Sequence, residues 1–179
     1  MQRSRIMNDT RTLLRPYDEA EIEHLRQLER AAHRRYLSLK GYEEFAASPA
    51  IYPETFTFGT TTVVEYDGER AGYIIVEPLD DILYIASLVV DDRMSGKGIG
   101  QRLLEWAEDY AASSSVCATC LATFRVPQWN APWYKKLGYS EMPEEKIGPD
   151  LRAILNRHAA FLDMTTRVTL WKQTGLRLK

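Results

Sequence analysis

Residues 82–111 constrain this chain more than any other stretch, because an apolar run, a glycine-bearing turn and an amphipathic segment follow one another directly. The first nine residues, ILYIASLVV, are almost all apolar and rich in Ile, Leu and Val, which is typical of a strand buried on both faces. Two aspartates end this run, and Gly96, Gly98 and Gly100 follow at alternate positions. Glycines have no side chain to keep a ligand away from backbone N–H groups, so this turn is a candidate binding loop.

The segment after the glycines has the spacing of an amphipathic helix. Its apolar face carries Ile99, Leu103, Trp106, Ala107 and Tyr110, and polar residues occupy the other face. The unsatisfied N–H groups and the positive dipole end at the start of such a helix point at whatever lies over the glycines. The stretch therefore predicts a strand, an anion site of pyrophosphate size and a helix, in that order.

Three kinds of nucleotide-binding turn compete for this stretch, and the spacing separates them. A P-loop requires Gly-Lys-Ser/Thr, whereas Gly98 is followed by Ile99. A dinucleotide-binding turn requires G-x-G-x-x-G and an acidic residue about twenty positions later, but residues 121–125 carry no acid. The third form, R-x-x-G-x-G on Arg93, Gly96 and Gly98, resembles the acetyl-CoA signature of the GNAT superfamily of N-acetyltransferases.

Length and composition indicate one globular domain. At 179 residues the chain is long enough for one domain with its own core and too short for two of ordinary size. Hydrophobic residues make up 45% of the chain and charged residues 27%, which is typical of a folded protein rather than a disordered one. We expect residues 11–173 to form this domain, with 1–10 as a flexible N-terminus and 174–179 as a tail.

Charge and cysteine content exclude several classes of partner. The formal net charge of −2 gives no general attraction to nucleic acid or to an anionic membrane, so neither is an expected partner. No apolar run approaches the roughly 20 residues of a membrane span, and the start lacks the apolar centre of a signal peptide, so we expect a cytoplasmic location. Cys117 and Cys120 form a single C-x-x-C without histidines at ligand spacing, so no metal site is predicted.

Hydrophobic periodicity predicts seven strands and five helices in the order β-α-α-β-β-β-α-β-α-β-α-β. The predicted strands span 11–15, 60–66, 71–76, 82–90 and 120–125, begin again at 139, and span 166–172. The predicted helices begin near residues 18, 42, 99, 130 and 149. Asp67-Gly68 predicts a hairpin, 78–81 a turn, and the two prolines within 48–55 a loop that could form a wall for a substrate.

These elements predict an α/β protein with a mixed sheet and helices on both faces. Strand 82–90, the helix from residue 99 and strand 120–125 form a right-handed crossover, so the two strands should be parallel neighbours. The resemblance to GNAT enzymes implies a mostly antiparallel sheet in which these central parallel strands splay apart.

A second motif, in residues 126–139, supports the same resemblance. Asn130, Ala131, Trp133, Tyr134, Lys136, Gly138 and Tyr139 resemble the Asn/Ala/aromatic-Tyr/x-Lys/x-Gly-Phe pattern that closes the cofactor site of GNAT enzymes. Tyr139 replaces the usual Phe. Two motifs in the right order, separated by a helix and a strand, are far more specific than either one.

The resemblance implies roles for particular residues. The pantetheine arm of acetyl-CoA would hydrogen-bond to the backbone of Leu88, Val89 and Val90. The turn and first helical residues, with two cations, would bind the pyrophosphate: Arg93, Ser95, Gly96, Lys97, Gly98, Ile99, Gly100 and Gln101. Asn130 would contact the pantetheine or adenosine side, and Tyr134 occupies the position of the acid that protonates the leaving thiolate.

The proton acceptor departs from the family pattern. A primary amine is mostly protonated near neutral pH, so a base must take its proton before it attacks the thioester. Related enzymes often carry a Glu within the strand 82–90, but here the corresponding residues are Ile85, Ala86 and Ser87. Glu77, at the end of the preceding strand, is our first candidate. The weaker candidates are Asp80, Asp81, Glu54, and Ser87 or a water chain.

The predicted function is acyl transfer from acetyl-CoA, as cosubstrate, to the primary amine of a small molecule or peptide, by direct attack in a ternary complex. One alternative is a non-catalytic acyl-CoA-binding or regulatory module, because Ala86 and Ser87 stand where the base is expected. Another alternative is a nucleotide-binding α/β protein. The connection 141–148 and the helix after it are candidates for covering the site or for a homodimer contact.

Overall fold

The structure is a computed structural model that describes residues 11–114 and 116–174. The expected flexible N-terminus at 1–10 and nearly all of the expected tail lie outside these residues. The strands are β1 Thr12–Pro16, β2 Thr60–Tyr66, β3 Glu69–Leu79, β4 Ile82–Val90, β5 Ala118–Phe124, β6 Ser140–Glu141 and β7 Arg167–Gln173. The α-helices are α1 Ile22–Arg34, α2 Glu43–Ala46, α3 Thr55–Phe58, α4 Ile99–Ser113, α5 Ala131–Lys136 and α6 Pro149–Ala159.

The seven strands form one sheet in the order β1-β2-β3-β4-β5-β7-β6, and every neighbouring pair except β4–β5 is antiparallel. The predicted hairpin between β2 and β3 is present, with Asp67 and Gly68 at φ values of 51° and 80°. Strand β3 runs on to Leu79, so the next turn contains only Asp80 and Asp81 and is shorter than the predicted turn at 78–81. The ladder with β4 overrides the turn signal of Pro78, which lies on an exposed part of the strand.

The parallel pair at the centre of the sheet separates soon after it forms. Strands β4 and β5 pair at Leu83 with Thr119 and at Tyr84 with Cys120, and no further pair continues the ladder. The rest of β4 therefore has an open edge facing a gap, as the fold class predicted. The mixed, mostly antiparallel sheet with helices confirms that prediction.

The two faces of the sheet are covered by different helices. Helix α4 buries Ile99, Leu103, Leu104, Ala107 and Ala111 against one face, in the largest core cluster. Helix α1 packs Leu25 and Leu28 against the other face, and α6 packs Leu151 and Ile154 there beside β5. The gap between β4 and β5 is thus flanked by α4 on one side and by α1 and α6 on the other.

Local differences from the predicted elements have physical causes. Helix α3 was not predicted, because its four residues lie within an apparently irregular, proline-bearing segment. The predicted start at Asp18 is present, but the capping box with Glu21 opens one 3-10 turn before α1 begins. Among the described residues, no helix combines the length and apolarity that a membrane crossing requires.

Glu21 joins the first strand, the first helix and the central hairpin. It is 5% exposed and accepts hydrogen bonds from Arg15 at 2.8 and 2.9 Å, from Arg70 at 2.8 Å and from the N–H of Asp18 at 2.8 Å. The bonds from Arg15, together with those from Asp18 and Arg70, lower the pKa of this carboxyl to about 2. The network fixes where α1 crosses the sheet.

Replacing Glu21 by glutamine should therefore destabilise the fold by about 2 kcal/mol near neutral pH. Breaking a fully buried ion pair would cost more stability, but Arg15 and Arg70 stay partly exposed to solvent. The wild-type advantage is complete above the unfolded pKa of 4.5 and disappears as pH falls towards 2. Urea unfolding at pH 7 and pH 3 measures it. Glu23→Gln, which removes exposed ion pairs on the same helix, is the control and should change little.

Candidate active site

A cavity of about 440 Å³ lies where the open edge of β4, the start of α4 and the α5 region meet. Its walls come from the α1 end, the last residues of β4, the glycine turn and the segment around α5. The lining residues are Ala32, Arg35, Tyr36, Leu88, Val89, Val90, Met94, Ser95, Gly96, Gly98, Ile99, Gly100, Gln101, Trp129, Asn130, Trp133 and Tyr134. Both sequence motifs therefore border one space.

The glycine turn leaves the start of α4 open. Gly96 and Gly98 have φ values of 78° and 77°, and a Cβ at either position would meet no atom within 4 Å. Gly98 is the N-cap residue of α4, and no side chain caps this helix. The first N–H groups of α4 and the positive end of its dipole therefore face the cavity. Two of the predicted donors, the N–H groups of Ser95 and Lys97, instead bond to Asp92 and Met94 within the turn.

The positive charge at the cavity does not come from the two predicted side chains, since neither Arg93 nor Lys97 lines it. Arg93 bonds to Asp91 at 2.7 Å, and this pair lowers the pKa of Asp91. The Lys97 ammonium lies 4.7 Å from the centre of the Tyr66 ring.

Arg35 lines the cavity instead. Its guanidinium is 3.3 Å from Asp92 and 4.7 Å from the centre of the Trp129 ring. Sequence reasoning missed this residue, because it reaches the turn only through the packing of α1, more than 50 residues away in the chain.

Asn130 lines the cavity and also makes hydrogen bonds within the protein. Its side chain is buried, accepts a hydrogen bond from the Tyr36 hydroxyl at 2.7 Å and donates one to Thr123 at 2.7 Å. It does not cap α5, whose first N–H bonds reach the backbone carbonyl of Asn130. Asn130 thus joins the end of α1 to β5 and holds the start of α5 in place.

Tyr134 lies on the buried face of α5, at the wall of the cavity. Its ring packs against Trp133 and Tyr139, at centroid distances of 4.8 and 5.8 Å. Within the described residues no hydrogen bond to its hydroxyl is present. Burial raises the pKa of this phenol well above its ordinary value, so the group stays protonated at neutral pH. Trp133, from the second motif, is half-buried and borders the cavity.

The predicted proton acceptors are dispersed. Glu77 is half-buried beside Tyr84, on the face of the sheet away from α4. Asp80 accepts hydrogen bonds from the N–H groups of Asp150 and Leu151 at the start of α6, which gives it a capping role. Asp81 lies in the exposed turn beside it, and Glu54 is exposed on the proline-bearing loop.

Glu29 is a buried carboxylate that sequence reasoning missed. It is 5% exposed on the inner face of α1 and accepts the N–H of Ile51 at 2.7 Å. Burial raises the pKa of Glu29 to about 7, against the opposing effects of Ile51, Arg26 and Arg30. Its electrostatic neighbour Tyr73 has a buried hydroxyl next to Ser87, so polar groups extend from α1 to β4.

The polar residues Glu29, Tyr73 and Ser87 lead to a place where the pairing of β3 with β4 is irregular. The register of β3 against β4 shifts between Ile75 and Val76, which pair with Ser87 and Ile85 and leave Ala86 without a partner. The shift lies within the three residues that replace the family's usual Glu. Helix α1, which carries the Glu29 carboxylate, therefore covers the face of the sheet where Ala86 of β4 packs, and β4 itself has no carboxylate there.

Comparisons with known proteins agree with this geometry. Residues 57–141, from the end of α3 to β6, match the family model described as acetyltransferase (GNAT) domain. The ribosomal-protein-S18-alanine N-acetyltransferase from Escherichia coli has a similar fold, with a TM-score of 0.63 at 15% identity over 94% of this chain and 99% of that one. The matched segment and the shared fold both resemble the GNAT acetyltransferases.

Two further solved structures share the fold. The PaiA N-acetyltransferase from Thermoplasma acidophilum, in complex with coenzyme A, has a TM-score of 0.65 at 14% identity and covers 90% of this chain and 98% of its own. Arabidopsis thaliana Naa50, in complex with a bisubstrate analogue, has a TM-score of 0.60 at 16% identity over 90% and 98%. At these identities the likeness concerns the fold alone.

Proposed function

We propose that the chain transfers an acetyl group from acetyl-CoA to a primary amine by direct attack in a ternary complex. The observation that carries this proposal is the meeting of three features in one cavity: the open edge of β4, the uncapped start of α4 and the Tyr134 hydroxyl. Each matches one part of the cosubstrate: the amide-bearing pantetheine arm, the pyrophosphate and the sulfur.

The binding groups are backbone groups and one arginine. The unpaired edge of β4 at residues 88–90 offers N–H and C=O groups to the pantetheine amides, as a neighbouring strand would. The space over Gly96 and Gly98, which a Cβ would fill, leaves the α4 N–H groups accessible to phosphate oxygens. Arg35 adds a positive charge at the same end of the cavity.

In the proposed reaction the amine nitrogen attacks the thioester carbonyl, a C–N bond forms and the C–S bond breaks. The proton lost by the amine goes to a base, and the leaving sulfur takes a proton from Tyr134, which is replenished from solvent or from the base. Holding the two reactants together supplies a large part of the rate, on the order of 7–11 kcal/mol of barrier reduction.

Glu29 is our preferred base, and Glu77 remains the second candidate. A base works best when its pKa lies near the working pH, and burial brings Glu29 to about 7. The route from Glu29 through Tyr73 to Ser87 reaches β4 where the register shifts. Glu77 lies near the end of β3 and pairs with Tyr84 of β4.

The direct test is release of free thiol from acetyl-CoA across a panel of amines. Turnover that depends on the amine supports the transferase. Tight binding of coenzyme A without turnover on any amine supports the regulatory module instead. Tight binding of ATP or NAD without binding of coenzyme A would favour the nucleotide-binding alternative.

Adding one methyl group to the turn should separate cofactor binding from stability. Gly98→Ala places a Cβ where we expect the pyrophosphate, and we expect coenzyme A affinity to fall at least about 10-fold, measured by isothermal titration calorimetry. Gly68→Ala is the matched control, because Gly68 has a φ of +80°, also has no atom near its Cβ, and does not line the cavity. Both variants should lose similar stability, about 1 kcal/mol. Equal coenzyme A affinities in the two variants would remove the turn from the site.

A further inference from the structure

Arg167, at the start of β7, is a mostly buried cation whose charge is not balanced. Its Nη2 donates to the carbonyl of Ala122 at 2.8 Å, and its guanidinium lies 4.6 Å from the centre of the Phe124 ring. Its Nε is fully buried and has no hydrogen-bond partner in the part of the chain that the structure describes. In residues 11–114 and 116–174 no carboxylate lies within ion-pair distance of it. A buried guanidinium in this state is unfavourable unless something anionic binds to it.

The strand register places this guanidinium at the central gap. The carbonyl of Thr169 accepts the N–H of Met142, the residue after β6, so Thr169 and its partner Ala122 are not a hydrogen-bonded pair across β5 and β7. Because bonding alternates along an antiparallel ladder, the Ala122 carbonyl points away from β7 and towards β4. Strand β4 has already separated at this level, two residues past Cys120. Arg167 therefore reaches across β5 to the gap between the splayed strands.

Its surroundings are tyrosines rather than acids. Tyr84, Tyr36, Tyr134 and Tyr42 are the groups that act electrostatically on Arg167, and burial lowers its pKa despite them. Phe124, over whose ring the guanidinium lies, packs against Tyr36 at a centroid distance of 5.5 Å. Tyr36 lines the first cavity together with Tyr134, so one aromatic ring separates Arg167 from the wall of that cavity.

Helix α6 adds no compensating charge on that face. His158, another electrostatic neighbour, has a pKa lowered to about 4 by burial and by Arg167 and Arg157, so it is neutral at pH 7. Among the described residues, its buried Nδ1 also has no hydrogen-bond partner. The Nε of Arg167, which is a donor, and the Nδ1 of His158, which can donate in one tautomer, are thus both unpartnered there.

The adjoining space is large enough for part of a substrate. A second cavity of about 330 Å³ between α6 and strands β5, β7 and β6 borders Arg167, Ala122 and Thr169. Its other two arginines are paired, Arg125 with Glu141 at 3.4 Å and Arg152 with Glu144 at 2.6 Å. Arg167 is the cation of this lining for which the described chain supplies no acid.

We propose that Arg167 binds a carboxylate of the substrate, and that the acceptor is an amino acid or another amine bearing a carboxylate close to its amino group. This inference rests on the proposed acetyl transfer. The planar guanidinium suits a carboxylate, which accepts two parallel hydrogen bonds from it. The unpartnered Nε supplies one of those donors. The same chemistry would also suit an acyl group with a free carboxylate, such as succinyl, and the experiment separates the two sources.

The test compares amino acids with their α-amides in Arg167→Met and in the wild type. Methionine keeps volume and removes the unbalanced charge, so we expect the variant to fold with equal or higher stability. Amides have less basic amines, so the informative quantity is the ratio of kcat/KM for acid over amide, compared between proteins. We expect this ratio to fall at least about 30-fold in Arg167→Met. Arg102→Met, which breaks an exposed ion pair on α4 and lines neither cavity, should leave it unchanged.

A binding measurement keeps this inference separable from the reaction. The preferred amino acid should raise the wild-type melting temperature in the presence of coenzyme A, and should not raise that of Arg167→Met. That result without thiol release on any amine would support the carboxylate site while the proposed transferase function fails. An unchanged acid-to-amide ratio in Arg167→Met would overturn the site. A preference for succinyl-CoA over acetyl-CoA that Arg167→Met abolishes would assign the carboxylate to the acyl donor and overturn its assignment to the acceptor.

Discussion

Replacing Tyr134 by phenylalanine is expected to lower kcat by about 10²–10⁴-fold while coenzyme A affinity stays nearly unchanged. The ring keeps its contacts with Trp133 and Tyr139, so only the hydroxyl is lost from the cavity wall. Stopped-flow measurement of thiol release, combined with calorimetric titration of coenzyme A, separates the two effects. Because the phenol stays protonated at neutral pH, the wild-type rate should show no loss of the acid below about pH 9.

Tyr139→Phe is the matched control for this substitution. It also removes a buried hydroxyl, which lies 2.9 Å from the Thr119 hydroxyl, but that bond is in the core and away from the cavity. We expect it to cost some stability, about 1 kcal/mol, and to leave kcat close to the wild-type value. Wild-type turnover in Tyr134→Phe would reduce Tyr134 to an aromatic packing residue.

The second large effect is expected from Glu29→Gln. If Glu29 is the base, the wild-type kcat rises with pH through about 7 as the carboxyl ionises. In the variant kcat should fall by about 10²-fold or more and should no longer rise in this pH range. Glutamine can still accept the N–H of Ile51, so the loop there should keep its position. If Glu29→Gln keeps the acidic limb and Glu77→Gln loses it, the base is Glu77.

Glu29→Gln should slow the reaction but make the folded protein more stable above neutral pH. A carboxyl whose pKa is raised from 4.5 to about 7 keeps its proton in the folded state, so wild-type stability falls as pH rises from 4.5 to 7. At pH 8 the variant should therefore be more stable than the wild type, by up to about 3 kcal/mol, and at pH 4.5 the two should be nearly equal. Burial lowers the pKa of the neighbouring His33, which therefore stays neutral near pH 7. Urea unfolding at both pH values measures the difference.

A more stable but slower Glu29→Gln would connect the two measurements. Loss of solvation makes the ionised carboxylate unfavourable in the folded protein, and the same loss raises its pKa and makes it a stronger base. Equal stability of both proteins at pH 8 would show that water reaches Glu29. Its pKa would then lie near the ordinary value and it would be a weaker base.

Motifs that are contiguous in the chain were well predicted. The strand, glycine turn and helix of residues 82–111 depend on apolar spacing and on glycine, both of which act locally, and β4 and α4 lie where that pattern places them. The parallel pairing of β4 with β5 followed from the handedness of a single crossover. The Asp67-Gly68 turn needs only backbone conformations that those two residues tolerate.

Which side chains line the cavity depends on packing that the local sequence pattern does not contain. Arg93 and Lys97 lie in the signature itself, yet Asp91 and Tyr66 hold them outside the cavity. Asp80 was a candidate base and instead binds the start of α6, 70 residues later in the chain. Nothing in the local pattern distinguishes a carboxylate that caps a helix from one that accepts a proton.

The sequence by itself determined the GNAT fold and the strand-turn-helix unit, because backbone propensity, glycine geometry and hydrophobic periodicity are properties of neighbouring residues. The tertiary structure alone decided which charges meet at the gap between β4 and β5. Tyr134 comes from α5 and Arg167 from β7, and packing brings both to the sheet near this gap, while Glu29 is buried under α1. Burial and electrostatic partners, rather than residue type, set the charge state of such groups, and both exist only after the chain has folded.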